Sequence, residues 1–279
     1  MAESAAMMTA LFGRRLELAR PGLFITATDT GVGKTVVTSA IAWNLRRRPG
    51  NIARPGQRGG THSLVGVCKP FATGCRRDRE GLVSPDAEAL AHFADCNQPL
   101  HIICPIRFKQ PLAPGAAAEQ KGEPSDYPAL ARALELLDRT SGCMLIEGVG
   151  GIMVPLDDAD PPTTVLDLAE ALDYPVLIVT RPGLGTLNHT AMTVTLLKQR
   201  GLRIAGLLIN AMPTDPSREA DPSIALNRAW LEHLTGIPIV ATCPACPPRE
   251  VAPEQGRLPE DLLAVMGQTS WHELLARPR

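Results

Sequence analysis

Neither sign of charge prevails in this 279-residue chain: Lys and Arg number 28 against 29 Asp and Glu, for a formal net charge of −1. That balance gives no electrostatic reason to expect nucleic acid or an anionic membrane as a partner. No apolar run approaches the roughly 18 residues that a transmembrane helix needs, so no membrane span is expected. The N-terminus carries Glu3 ahead of any basic residue and only a short apolar stretch from Met7 to Phe12, unlike a secretion signal. A paired cysteine framework is also missing. Seven cysteines, an odd number spread along the chain, suit a reducing compartment, and the expectation is a cytoplasmic protein. No internal repeat is evident. What remains, 44% hydrophobic and 20% charged residues, is ordinary globular material, long enough for one large domain or two small ones with a substantial core.

The most informative stretch present is Thr28-Asp29-Thr30-Gly31-Val32-Gly33-Lys34-Thr35. It lies between Leu23-Phe24-Ile25, a short apolar run expected as a buried strand, and Val36 to Trp43, whose apolar residues recur at helical spacing. Gly31 and Gly33 allow backbone N–H groups to turn inward, and the new helix points its positive end at the same place, where a phosphate would sit. Lys34 can reach outer phosphates, and the Thr35 hydroxyl is placed to ligate Mg²⁺. The pattern G-x-x-x-x-G-K-[ST] would have glycine at position 28, so this is a variant of that loop. The expected ligand is a nucleoside triphosphate.

Further apolar runs follow: Leu64 to Cys68, ending at Lys69-Pro70; Cys143 to Ile146, ending at Glu147; Val176 to Val179; Ile204 to Ile209, ending at Asn210; and a weaker one from Ile237 to Val240. Between them Pro128 to Arg139, Thr164 to Leu172, Leu187 to Gln199 and Ile224 to Leu234 have helical spacing. Continuous apolar strands alternating with helices predict an α/β fold, a mostly parallel sheet with helices on both faces. Ligands in such sheets lie beyond the carboxyl ends of the strands. Lys34, Lys69, Glu147 and Asn210 are all expected just past strand ends, in one shared site. Residues 1–21 read as an N-terminal extension, a loose helix or disorder, ahead of a single P-loop domain over 22–279. The segment 46–63, with Arg46, Arg47, Arg48, Arg54 and Arg58 among Gly and Pro, reads as a mobile, solvated surface insertion. Cys243-Pro244-Ala245-Cys246 is a lone C-x-x-C with no second pair at metal spacing, and reads as loop.

The chain resembles the dethiobiotin synthetases, ATP-dependent carboxylases that close the ureido ring in biotin synthesis and share the P-loop NTPase architecture. The resemblance rests on the P-loop, Val67-Cys68-Lys69-Pro70 with Thr73-Gly74, Ser84-Pro85-Asp86-Ala87, Glu147-Gly148-Val149-Gly150-Gly151, Gly183-Leu184-Gly185-Thr186-Leu187-Asn188-His189 and Ile209-Asn210, in that order. It implies ATP and Mg²⁺, with 7,8-diaminopelargonate and CO₂ or bicarbonate as the other reactants. It also implies a homodimer with the substrate near the interface. By the same resemblance Lys34 and Thr30 contact the transferring phosphate, and Lys69 holds the substrate carbamate. Gly31, Val32, Gly33, Lys34, Thr35, Val36, Asp86, Glu147, Gly148, Val149 and Gly150 surround the nucleotide. Asn210 reads the adenine edge beside Pro244, Ala245 and Cys246. Thr73, Gly151 and Asn188 meet the substrate, and Thr35, Asp86 and Glu147 surround the metal. Asp86 has an alternative reading as the cap of the helix-like run it opens. His189 reads as a structural or interface residue. Ala27 and Gly115 depart from the family, which usually has glycine and histidine there.

Other classes fit parts of the sequence. A switch or partition ATPase shares the loop, although that group usually carries a lysine near its start where this chain has Asp29. An iron–sulfur carrier ATPase would use Cys243 and Cys246. An amide-forming ligase of the cobyrinate type usually adds a glutaminase domain, for which the chain after Val240 is too short.

Overall fold

Strands in which every residue is apolar need cover on both faces, and this requirement organises the molecule. The computed structural model describes residues 2–14, 16–52, 63–79, 81–215 and 220–278. In chain order its elements are α1 (Ala2–Phe12), β1 (Gly22–Ala27), α2 (Lys34–Arg47), β2 (Ser63–Cys68), β3 (Phe71–Ala72), β4 (Arg76–Asp78) and β5 (Gly81–Val83). There follow α3 (Pro85–Ala94), α4 (Leu100–Ile103), β6 (Ile106–Arg107), α5 (Pro114–Lys121), α6 (Tyr127–Thr140), β7 (Ser141–Gly151) and α7 (Val165–Leu172). The chain ends with β8 (Val176–Thr180), α8 (Thr186–Gln199), β9 (Ile204–Met212), α9 (Ser223–Thr235), β10 (Ile239–Pro244), α10 (Glu260–Met266) and α11 (Trp271–Leu274).

Six strands form one sheet in the order β10-β9-β8-β1-β7-β2, and every pairing is parallel. β1 lies in the interior of the order with all six of its residues buried, and β8 beside it is buried throughout. Helices gather in three groups. α2 packs with α3, α10 and α11, and α1 packs with α6 and α7; α8 and α9 pair beside β9. Two short ladders, β3 with β6 and β4 with β5, stand apart from the main sheet. Leu23, Phe24, Ile25, Ile41, Leu134 and Tyr174 are among the fully buried side chains. Burying each such side chain contributes roughly 1.5–3 kcal/mol.

Helix starts follow local chemistry. Thr164 and Asp167 cap α7 reciprocally: the Thr164 Oγ1 accepts from the Asp167 N–H at 3.4 Å, and Asp167 Oδ2 accepts from the Thr164 N–H at 2.8 Å. Ser84 Oγ accepts from the Ala87 N–H at 3.3 Å and caps α3. Asp86, read above as a possible cap, therefore sits inside that helix with its carboxylate free for other partners.

The sequence expectation differs from the structure in three places. Glu147 and Asn210 lie within strands rather than past their ends, because β7 stays paired to β1 as far as Gly151 and β9 to β10 as far as Met212. The weak last strand is shifted to Ile239–Pro244. The Ile237 N–H is taken by Thr235 Oγ1, and only beyond it does the chain run beside β9. The expected insertion over 46–63 is structured at both ends: Arg46 and Arg47 close α2, and Ser63 opens β2. There Arg46 pairs with Asp95 at 3.0 Å, Arg47 stacks on the Trp43 ring, and Arg48 donates to the Gly267 carbonyl at 2.7 Å. These groups are spoken for within the chain; positions 53–62, with Arg54 and Arg58, lie outside the described residues. In residues 1–21 the helix α1 forms, and Phe12 and Leu16 join the core.

Candidate active site

The P-loop connects β1 to α2 as expected. Gly33 is the residue before the helix and takes a left-handed backbone, φ 96°, which a β-carbon strains. A β-carbon there would also strike the Asn210 amide at 2.1 Å. Asn210 itself, from β9, donates its amide to the Val32 carbonyl at 2.7 Å, so it braces the loop from the side. Lys34 is buried and donates to the Gly150 carbonyl at 2.7 Å and to the Asp29 carbonyl at 3.3 Å. Thr30 is exposed beside it: a β-carbon on Gly150 would approach its Oγ1 to 3.3 Å.

Lys69, one residue beyond β2, is the second buried cation. Its ammonium donates to Glu147 Oε1 at 2.7 Å and to the Gly148 carbonyl at 3.0 Å, and it faces Asp86 Oδ2 at 3.0 Å. The Thr35 hydroxyl lies 2.9 Å from both Asp86 Oδ1 and Glu147 Oε1, and can donate to one at a time. Four elements thus bring one hydroxyl, two carboxylates and two ammonium groups to one point: α2, the end of β2, α3 and β7.

The electrostatics follow from burial and partners. Burial, then the neighbouring charge of Lys69, pushes Lys34 down to about 8, against the pull of Glu147, Asp86 and Asp29. Burial also opposes the charge on Lys69, but Glu147 and Asp86 outweigh it and hold Lys69 above the ordinary lysine range. For Asp86, burial pushes upward, while the charge and hydrogen bond of Lys69, with Thr35, hold the carboxyl below its usual range.

The donors suit a hard divalent cation. Glu147 is 0% exposed, and its Oε2 has no hydrogen-bond partner, although an unpaired buried carboxylate oxygen is costly. Together with Asp86 and the Thr35 hydroxyl it forms the sparse oxygen set that Mg²⁺ takes alongside phosphates and water. No cluster of three or more His, Cys, Asp or Glu side chains suited to a metal occurs among the described residues. Cys243 is buried in β10, its thiol pushed up to about 12 by burial, and Cys246 is half-buried; both are free thiols.

The other expected residues are placed by their own elements. Val36 follows Thr35 in α2, and Gly148, Val149 and Gly150 continue β7 from Glu147. Gly151 ends that strand opposite Ala27, which is fully buried at an irregularity of the β1–β7 ladder. Thr73 follows β3, and Gly74 next to it donates its N–H to the Gln110 carbonyl at 3.1 Å. Ala245 beyond β10 donates to the Met212 carbonyl at 2.8 Å, which keeps Pro244, Ala245 and Cys246 beside the end of β9. At Gly115 a β-carbon would lie 2.4 Å from the Asp157 carbonyl, so this backbone excludes a histidine. Asn188 is exposed in the first turn of α8, and no hydrogen bond joins it to the lysine–carboxylate cluster.

Sequence reasoning missed what holds that turn. Thr180 Oγ1 lies 2.7 Å from the Thr186 hydroxyl and 2.8 Å from that of Thr190, while Asn227 donates to the Pro182 carbonyl at 2.7 Å. The signal, threonines at 180, 186 and 190, is too common to single out without coordinates.

A family model described as an AAA domain matches residues 21–250. Proteins named ATP-dependent dethiobiotin synthetase BioD are similar over most of their length. That of Anaeromyxobacter sp. (strain K) is 41% identical over 80% of this chain and 89% of its own. The protein of Thermodesulfovibrio yellowstonii is 36% identical over 81% and 89%, and that of Mycobacterium avium 40% over 80% and 86%. Among solved structures, a ParA family ATPase from Chlorobium tepidum superposes with a TM-score of 0.52 at 14% identity, covering 90% of this chain and 97% of its own. The MinC:MinD cell division complex of Aquifex aeolicus gives 0.51 at 12% identity, over 90% and 95%. At such identities these two establish the P-loop NTPase-like fold alone.

Proposed function

The chain belongs to the ATP-dependent dethiobiotin synthetase family of ligases, and from that premise we propose how its own residues run the reaction. The reactants are ATP, CO₂ and 7,8-diaminopelargonate. One amine of the diamine takes up CO₂ to form a carbamate and releases a proton. A carbamate oxygen then attacks the γ-phosphorus of ATP, giving a carbamic-phosphoric anhydride and ADP. The second amine attacks the carbonyl carbon and expels phosphate, which closes the ureido ring of dethiobiotin.

A single observation carries this reading: two buried ammonium groups flank one oxygen cluster, Lys69 paired with Asp86 and Glu147, and Lys34, next to Thr35, held on the Gly150 carbonyl. Two anions, a triphosphate and a carbamate, must approach each other there, and fixed cations offset that repulsion. Lys34, Thr30 and the loop N–H groups of residues 31–36 hold the phosphates. Lys69 holds the carbamate, with Thr73, Gly151 and Asn188 around the rest of the substrate. Asn210 reads the adenine edge beside Pro244, Ala245 and Cys246. Thr35, Asp86 and Glu147 would hold Mg²⁺, which when bound neutralises phosphate charge during transfer.

The enzyme works as a homodimer with the substrate near the interface, in the cytoplasm. Leu184, 79% exposed just before α8, and the exposed Met192 on α8 support an interface on that side. The seven free thiols suit a reducing compartment. The test is phosphate release from ATP with diamine and bicarbonate supplied separately and together. Turnover requires both. Equal hydrolysis with neither present would overturn the ligase mechanism and favour a switch ATPase.

A further inference from the structure

The small strands β4, β5 and β6 and the helix α5 enclose a groove whose lining includes none of the residues given a part in the proposed reaction. Its main cavity, about 360 Å³, has Leu82 and the buried Phe108 as apolar lining and Arg77, Arg107, Lys109 and Lys121 as cationic lining. An adjoining cavity of about 330 Å³ shares Leu82, Arg107, Phe108 and Lys121, so the two form one continuous groove. Cavities of this size hold small organic ligands.

The charge of the main cavity is one-sided, whereas Glu123 and Asp126 line the adjoining one. No Asp or Glu lines the main cavity among the described residues. Lys121 pairs with Glu123 at its far end, and Arg107 donates to the Leu82 carbonyl at 2.6 Å, which fixes its guanidinium against the β4–β5 hairpin. Arg77 and Lys109 are exposed and have no ion-pair partner among the described residues. A chain of net charge −1 thus concentrates cations around one apolar-floored hollow. None of the groove's residues belongs to the P-loop cluster.

We infer that this groove is a second ligand site, built for an amphipathic organic anion: an apolar body against Leu82 and Phe108, and an anionic head among Arg77, Arg107 and Lys109. Carboxylate and phosphate heads share that chemistry, since a guanidinium binds either in a two-pronged fashion. The apolar lining makes a bare inorganic anion a poor match, because it would leave that surface in contact with water.

Calorimetric titration of the full-length protein with octanoate, octyl phosphate and uncharged 1-octanol tests this assignment. Both anions should bind saturably, at least tenfold more tightly than the alcohol, and the stronger of the two identifies the preferred head. The double variant Arg77→Gln/Lys109→Gln should weaken anion binding by roughly tenfold or more, the usual effect of losing charge-assisted contacts. MgATP affinity should not change. A second variant, Gln120→Glu, adds a carboxylate to the exposed lining and should weaken the anions without altering the hairpin. The inference is overturned by no saturable binding at about 5 mM probe, by equal binding of the alcohol, or by full binding in both variants. Because the readout is binding, it is independent of whether the protein proves to make dethiobiotin.

Discussion

The ends of β1 and β2 each deliver a buried lysine to the same centre, and the two are held in opposite ways. Lys34 meets backbone carbonyls of Asp29 and Gly150, whereas Lys69 meets two carboxylates, Glu147 and Asp86. Burial lowers both, yet only Lys34 ends up depressed, to about 8, while Lys69 is raised. The same residue type is thus a cation with no carboxylate partner in one place and a cation locked between two carboxylates in the other. Carbonyl dipoles replace water around an ammonium only in part; a carboxylate at 2.7 Å supplies a full opposite charge.

The largest break in this comparison comes from removing the locked cation. Lys69→Gln leaves Glu147 buried without its counter-charge and should destabilise the fold by about 3–5 kcal/mol. Lys34→Gln strands no charge and should leave stability equal or higher. Urea denaturation of both variants checks the difference, and equal losses would dissolve the contrast.

Catalysis separates them next. Lys69→Gln, assayed where it remains folded, should keep ATP binding and lose on the order of 10²–10³ in kcat. Lys34→Gln should lose nucleotide affinity as well as turnover. Calorimetric ATP titration alongside steady-state assays reads both, and the reverse pattern would exchange the two roles.

A somewhat smaller loss should follow from changing the carboxylates between them. Asp86→Ala and Glu147→Ala should each reduce activity at limiting Mg²⁺ by on the order of 10². Near-normal rates in both variants, measured across a Mg²⁺ titration, would remove them from the metal's surroundings.

The pH dependence sharpens the comparison further. Between about 8 and the ordinary value of 10.5, the unfolded chain keeps a proton on Lys34 that the folded chain has released. Stability therefore rises with pH across that window, by at most about 1.4 kcal/mol per pH unit from this group. Lys69 has the opposite sign, since its stabilisation is fully present below the ordinary lysine range and fades only above it. Denaturation midpoints between pH 7 and 10, measured without nucleotide, should climb more in the wild type than in Lys34→Gln.

The smallest effect concerns the brace on the P-loop. Asn210→Ala removes the hydrogen bond to the Val32 carbonyl, worth about 0.5–1.5 kcal/mol. A several-fold rise in KM for ATP with kcat largely kept is the expected reading of a kinetic titration.

Much of this centre was legible in the order of residues. Gly31, Gly33, Lys34 and Thr35 announce their geometry because a phosphate loop needs glycines and a helix start at fixed spacing, and both are local requirements. Lys69 and Glu147 were legible as residues closing apolar runs, although Glu147 lies inside β7, whose pairing with β1 continues past the apolar stretch. Asp86 was ambiguous. Its position fits a helix cap, and only the Ser84 hydroxyl taking that role releases the carboxylate to face Lys69 and Thr35. The basic groove left no mark at all, because Arg77, Arg107, Lys109 and Lys121 are dispersed over 45 positions of ordinary surface sequence.

The sequence by itself determined the alternation of strands and helices, the phosphate loop and the family, since each depends on residues close in the chain or on a matching order of motifs. The tertiary structure decided the charge on each lysine, the partners of Asp86 and the existence of the groove. Charge depends on distance and burial through space, and the elements that supply the partners of Lys69 lie 17 and 78 residues away along the chain. Only the folding of α3 and β7 against the end of β2 brings those carboxylates within about 3 Å of it.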